Sequence, residues 1–210
     1  MTQEIITDNG IYRYEEIELY AGKKKLDREI AKRNLLDFKK VMDTLDVRYG
    51  LMYGTLLGAV REGNFIVHDE DIDIFVLVED RSKVLNALFE IEKLGFKVAR
   101  YKYEDLLSII RDDEYIDLYF FRKYLGTKRR IHDNLVDAKY LEHTETIDFL
   151  GENFPVPGNP EQLLEVMYGK DWKIPNIDSK PTNYSYDVIV KQFIIEKFPF
   201  IYNIYKFFKK

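Results

Sequence analysis

Tyr53-Gly54-Thr55-Leu56-Leu57-Gly58-Ala59-Val60-Arg61, followed seven residues later by Asp69-Glu70-Asp71-Ile72-Asp73-Ile74-Phe75-Val76, is the stretch that decides how this chain folds. Gly54-Thr55 reads as a turn from a short strand over residues 49–53 into a short helix. Thr55 is a residue type that caps helices through its hydroxyl, and Gly58 lets the helix approach a neighbour closely. Residues 71–78 read as a strand in which Asp71, Asp73, Phe75 and Leu77 share one side, because successive side chains alternate. Both aspartates of the D-x-D therefore project together.

Working outward, Leu26, Ile30, Leu35, Phe38, Val41, Met42 and Leu45 recur at helical spacing and predict an amphipathic helix over residues 24–45. Residues 1–21 show no period and read as an extended arm. After the D-x-D strand come a helix over 82–94 stopped by Gly95, strands over 96–103 and 106–111, and a strand Tyr115-Ile116-Asp117-Leu118-Tyr119-Phe120-Phe121. Residues 122–132 carry Arg122, Lys123, Lys128, Arg129 and Arg130 without an acidic residue. Residues 149–160, with three prolines, read as loop or irregular strand, and a helix over 160–168 follows with Asn159 as its cap and Gly169 as its stop. The pattern predicts an α+β (α/β) fold: a mixed sheet flanked by helices, with a small C-terminal helical part. The organisation expected is an arm over 1–22, one catalytic domain over 23–186 and an aromatic-basic tail over 187–210.

With 210 residues and 46% hydrophobic content the chain can bury one substantial core. Lys and Arg number 32 against 37 Asp and Glu, a formal charge of -5, so nucleic acid is not an expected partner. There is no cysteine and there are only three histidines, which excludes thiolate-bound zinc and iron-sulfur clusters. A metal here would be hard and oxygen-bound, Mg2+ or Mn2+. Met1-Thr2-Gln3-Glu4 lacks the basic start of a signal peptide, and the expected location is cytoplasmic. The tail from Lys191 mixes Phe and Tyr with Lys, a composition suited to peripheral contact with the inner face of a membrane.

Moving a phosphoryl or nucleotidyl group requires neutralised charge and in-line positioning more than covalent help. Asp71 and Asp73 on one strand face, with Asp117 on another strand, have the pattern of carboxylates that hold divalent metal for such a transfer. The helix start at Gly54-Thr55 offers unpaired N–H groups to a phosphate. Asp117, alone in an apolar-aromatic run, would be costly if buried without a partner. A base for the acceptor hydroxyl is expected from Asp117 or His68. Asp69 reads as a residue orienting a ligand or a metal-bound water, and Glu70 as a surface charge. Lys128 and Arg129 are candidates for a contact with a donor diphosphate or an anionic acceptor. Tyr168 and Trp172 read as packing residues or as the lining of a sugar site.

These residues resemble the LicD family, whose relatives include the fukutin-related sugar phosphotransferases. The resemblance rests on Y-G-T-L-L-G-A-V-R and D-E-D-I-D-I, continues through Tyr115-Ile116-Asp117-Leu118 and Phe154-Pro155-Val156-Pro157, and closes at Tyr168-Gly169-Lys170-Asp171-Trp172. It implies a nucleotidyltransferase-like fold, with Asp71, Asp73 and Asp117 as metal ligands and Gly54, Thr55 and Arg61 at the donor phosphate. It also implies transfer of a phospho-substituent, of the phosphocholine or polyol phosphate type, from a CDP-linked donor to a glycan or lipid-linked glycan. Val67-His68-Asp69 stands where Pro-Trp-Asp is expected, a departure at the pocket rim. Two other functions fit the residues: placing a nucleotide on a small molecule, protein or tRNA, and a non-catalytic glycan- or membrane-binding module on the same fold.

Overall fold

The computed structural model describes residues 2–19, 24–124 and 127–176, together with Pro181, Val190 and Phe200. The expected tail over 187–210 thus lies outside the described residues apart from Val190 and Phe200. Among the described residues no helix is long and apolar enough to cross a membrane.

The centre is a seven-stranded mixed sheet. Its main path runs β3 (Tyr49–Leu51), β4 (Ile72–Leu77), β7 (Glu114–Tyr124), β6 (Leu106–Arg111) and β5 (Lys97–Lys102). The far end of β7 pairs β8 (Lys128–Ile131), which pairs β9 (Asn134–Asp137). Strands β4 and β7 run parallel; every other pairing in the sheet is antiparallel. All six residues of β4 are buried, and its near-continuous apolar run is the signature of a strand covered on both faces. The sheet register sets Asp73 opposite Asp117.

Helix α1 (Arg28–Met42) buries Ala31, Leu35, Phe38 and Met42. It starts later than the apolar spacing alone predicts because the Asp27 carboxylate accepts from the N–H groups of Glu29 and Ile30, both at 3.1 Å. Helix α2 (Tyr53–Glu62) follows β3 with no intervening loop, and its entry depends on Tyr53 holding φ +45°. A non-glycine residue in the left-handed region is strained. Gly58 meets the sequence expectation of close packing: a Cβ there would lie 2.5 Å from the Asn64 carbonyl oxygen.

Three expectations are corrected and a fourth is sharpened. The N-terminal arm is an antiparallel hairpin of β1 (Thr2–Thr7) and β2 (Gly10–Glu15), with Ile5 and Tyr12 buried. The single helix expected over 82–94 is a 3-10 turn, Val78–Asp80, and two short helices, α3 (Arg81–Asn86) and α4 (Leu88–Lys93), meeting at Ala87. After α5 (Ala138–Glu142), the stretch 149–160, expected as loop or irregular strand, supplies strand β11 (Glu152–Pro157), which forms a second hairpin with β10 (Thr144–Phe149). Helix α6 (Pro160–Tyr168) has Asn159 at its N-cap position, but at φ +52° and without a side-chain bond to the helix.

Candidate active site

The strand order brings the C-terminal end of β3, the start of α2 and the start of β4 to one place, and a cavity of about 960 Å3 opens there. Asp69, Asp71 and Asp73 line it, and one oxygen from each lies within 4.8 Å of the others. Gly54, Arg61, Glu62, His68 and Glu70 also face it, as do Tyr53, Tyr119, Asn134 and Tyr168. Glu70, expected as a surface charge, therefore belongs to the cavity wall.

The G-T turn and the D-x-D are locked together by hydrogen bonds. The Gly54 N–H donates to Asp73 Oδ2 at 3.0 Å, and the Asp73 N–H donates to Thr55 Oγ1 at 2.9 Å. Thr55 does not cap α2 with its side chain, contrary to expectation. Its hydroxyl instead ties the helix to β4, while the carboxylate of Asp73 takes up a donor at the helix start, where negative charge is favoured. Gly54 is required by space as well: a Cβ would lie 2.7 Å from Asp69 Oδ1.

Confining several carboxylates in a poorly hydrated site disfavours their ionisation. Burial, followed by the charge of Asp71, pushes Asp69 up to about 8. Burial, followed by the charge of Asp117, pushes Asp71 up to about 7, against a hydrogen bond from Tyr115. Burial and then Asp71, Asp69 and Asp117 drive Asp73 well above the carboxylate range. The Oδ2 atom of Asp69 is buried with no hydrogen-bond partner. An all-oxygen cluster with an unsatisfied buried oxygen fits a hard divalent cation, which would satisfy the oxygen and offset the crowded charge.

Asp117 lies under this cluster, 2% exposed and not in the cavity wall. Arg100 Nη2 donates to its Oδ2 at 2.9 Å, and Ser108 Oγ donates to its Oδ1. Burial raises its pKa while Arg100 and Ser108 oppose the rise. Arg100 and Ser108 were missed in the sequence, although a lone Ser inside Leu106-Leu107-Ser108-Ile109-Ile110 signals a buried polar contact. Tyr119, two residues beyond Asp117 on the same side, was legible by alternation as a wall residue. It meets Tyr53 edge to face at 5.0 Å.

The remaining expected residues divide. His68 is exposed at the mouth and Arg61 is in the wall, where its Nη1 also donates to the Trp172 carbonyl at 3.2 Å. Trp172 is buried in the core, whereas Tyr168 reaches the cavity. Lys128 and Arg129, the candidates for a contact with a donor diphosphate or an anionic acceptor, are not among the residues that line it. Lys128 is paired with Asp137, and the Arg129 side chain, 1% exposed, donates to Glu79 at 2.7 Å and to Glu142 at 2.6 Å. A guanidinium used in this way binds α5 and the 3-10 turn to β8 and offers little to a phosphate.

The profile described as LicD/FKTN/FKRP, nucleotidyltransferase domain, matches residues 46–159, more than half of the 210. The chain is 29% identical over 160 residues to the ribitol-5-phosphate transferase FKTN of Homo sapiens, covering 70% of this chain and 34% of that protein. It is 27% identical over 143 residues to the ribitol 5-phosphate transferase FKRP of Homo sapiens, covering 61% of this chain and 29% of that protein. The chain thus spans about a third of the length of these relatives. Among solved structures, the solution structure of the antibiotic-resistance factor ANT(2'')-Ia superimposes with a TM-score of 0.50 at 18% identity, covering 74% of this chain and 79% of that one. That likeness is one of fold.

Proposed function

The chain belongs to the LicD family, and we propose that it transfers a phospho-substituent of the polyol phosphate or phosphocholine type from a CDP-linked donor to a sugar hydroxyl of a cell-surface glycan. The observation carrying this reading is the packing of Asp69, Asp71 and Asp73 within 4.8 Å at the wall of a large cavity, beside the start of α2. The curated relatives that act on ribitol phosphate support the class of substituent.

Asp71 and Asp73 would hold the cation, Mg2+ or Mn2+, with a third carboxylate from Asp69 or Asp117. Bound there, the cation supplies charge neutralisation for the donor diphosphate and for the transferred phosphorus. Gly54, at the start of α2, and the Arg61 guanidinium, which also pairs with Glu62, line the same cavity, and the guanidinium favours donor phosphate oxygens, while Thr55 acts one step away by fixing Asp73. The acceptor hydroxyl oxygen forms the new bond to phosphorus as the bond to the CMP oxygen breaks, and CMP departs with that electron pair. Of the two bases considered from the sequence, His68 lines the cavity and Asp117 does not. The hydroxyl proton is therefore assigned to His68.

The reading is tested by thermal unfolding with CDP-ribitol, CDP-glycerol and CDP-choline, each with and without Mg2+ or Mn2+. Ligand binding to the folded state raises the midpoint. One CDP compound should shift it only when the cation is present. No shift with any of them, together with a shift by ATP, would overturn the donor assignment in favour of nucleotidyl transfer.

A further inference from the structure

Building on the metal-dependent reading above, we propose that Asp69, rather than Asp117, supplies the third carboxylate ligand of the cation site, and that Arg100 and Ser108 keep Asp117 out of direct coordination.

Two carboxylates compete for the place beside Asp71 and Asp73, and the hydrogen bonds separate them. Asp69 is 8% exposed, faces the cavity, and has an Oδ2 atom with no partner. Its main chain is fixed on both sides: its N–H donates to the Ile66 carbonyl at 3.3 Å and its carbonyl accepts from Leu26 N–H at 2.9 Å. Gly54 leaves room for the side chain where any Cβ would collide with it. The protein thus spends backbone bonds and a glycine to hold in the cavity wall an oxygen that it does not itself satisfy. An unpaired buried carboxylate oxygen is destabilising, and a cation is the partner that both satisfies it and tolerates its two acidic neighbours.

Asp117 has the opposite environment. Its two oxygens accept from Ser108, from Arg100 at 2.9 Å and from Tyr119 at 3.4 Å. Arg100 Nε in turn donates to Ser108 Oγ at 2.8 Å, closing a clamp built from β5 and β6. Turning Asp117 towards a cation would break a buried charge-assisted bond and leave the guanidinium without its counter-ion, a costly exchange. Asp69 Oδ2 has no such bond to give up.

The test is Mn2+ binding to the full chain, followed by the electron paramagnetic resonance signal of free Mn2+, in wild type and in D69N, D117N and D71N. D69N and D117N each replace one buried carboxyl near the cluster by an amide of the same shape, so their difference reports direct ligation. The loss of affinity in D69N is expected to exceed that in D117N by at least about tenfold, the lower end of what even outer-shell partners contribute. An equal or larger loss in D117N overturns the proposal. Mn2+ binding that is lost in D71N but retained in D69N overturns it while leaving the metal-dependent reading intact. A wild-type chain that binds no Mn2+ sinks both. Since Asp69 Oδ2 has no protein partner, D69N in chelator should unfold at the same or a higher temperature than wild type. A lower midpoint would identify the carboxylate as a structural group and contradict the assignment.

Discussion

Asp73 stands where the constraints on this site converge. Its N–H is taken by Thr55, its carboxylate by the Gly54 N–H, and its position in β4 is fixed by register against Asp117. The local geometry around it leaves little tolerance. A methyl at Gly58 would meet the Asn64 carbonyl at 2.5 Å, and backbone cannot yield as a flexible side chain can. Gly58→Ala should therefore destabilise the fold by about 1–3 kcal/mol, read from urea denaturation. An unchanged midpoint would mean that the loop after α2 moves freely. The carboxylates predict an unusual pH dependence. Asp69 at about 8 and Asp71 at about 7 lie above their ordinary value of 3.8. Between those limits the folded state retains protons that the unfolded state has lost. Stability from these groups is then present at low pH and falls as pH rises through the folded values. In chelator, the unfolding midpoint should drop between about pH 5 and about pH 8.5, and saturating Mg2+ should reduce that drop; a midpoint rising over this range would contradict the crowding of charge described here.

At the scale of elements, what was legible in the sequence was whatever has a local signature. Helix α1, the β3–α2 turn and β4 all announce themselves by periodicity or by glycine and threonine next to an apolar run. The first hairpin carried a signal too, Asp8-Asn9-Gly10 between Ile5-Ile6 and Ile11-Tyr12, but its polar alternate positions masked it. The clamp on Asp117 was beyond reach because it depends on which strands pair: Ser108 faces Asp117 only through the β6–β7 register, and Arg100 faces Ser108 only through β5–β6. The same limit governs the basic segment. From sequence, Lys128 and Arg129 are candidates for a phosphate contact; in the fold, β8 turns Arg129 towards Glu79 and Glu142. Arg129→Met should lower stability by about 1 kcal/mol, because Glu79 and Glu142, both exposed, lose their hydrogen bonds to the buried guanidinium. Affinity for the donor in the presence of cation should stay the same, and a large fall in that affinity would return Arg129 to the site.

For the whole molecule, charge and topology point the same way. In a chain of net charge -5, the described residues place five carboxylates, Glu62, Asp69, Glu70, Asp71 and Asp73, and one arginine around the cavity, an arrangement hostile to an anionic donor until a cation is bound. The family match spans 46–159, so β3 to β11 lie within it, and the β1–β2 hairpin, α1 and α6 lie outside it. Asp69, Asp71, Asp73 and Asp117 all fall inside the matched region. The central claim concerns which bond to phosphorus is broken, and the released nucleotide reports it directly. The decisive measurement is phosphorus NMR of the products formed by the full chain with Mg2+, a CDP-linked donor and a glycan acceptor. Stoichiometric CMP, with the phospho-substituent on the glycan, is the predicted result. Release of pyrophosphate from a nucleoside triphosphate, with the nucleotide on the acceptor and the CDP donor untouched, would contradict the account.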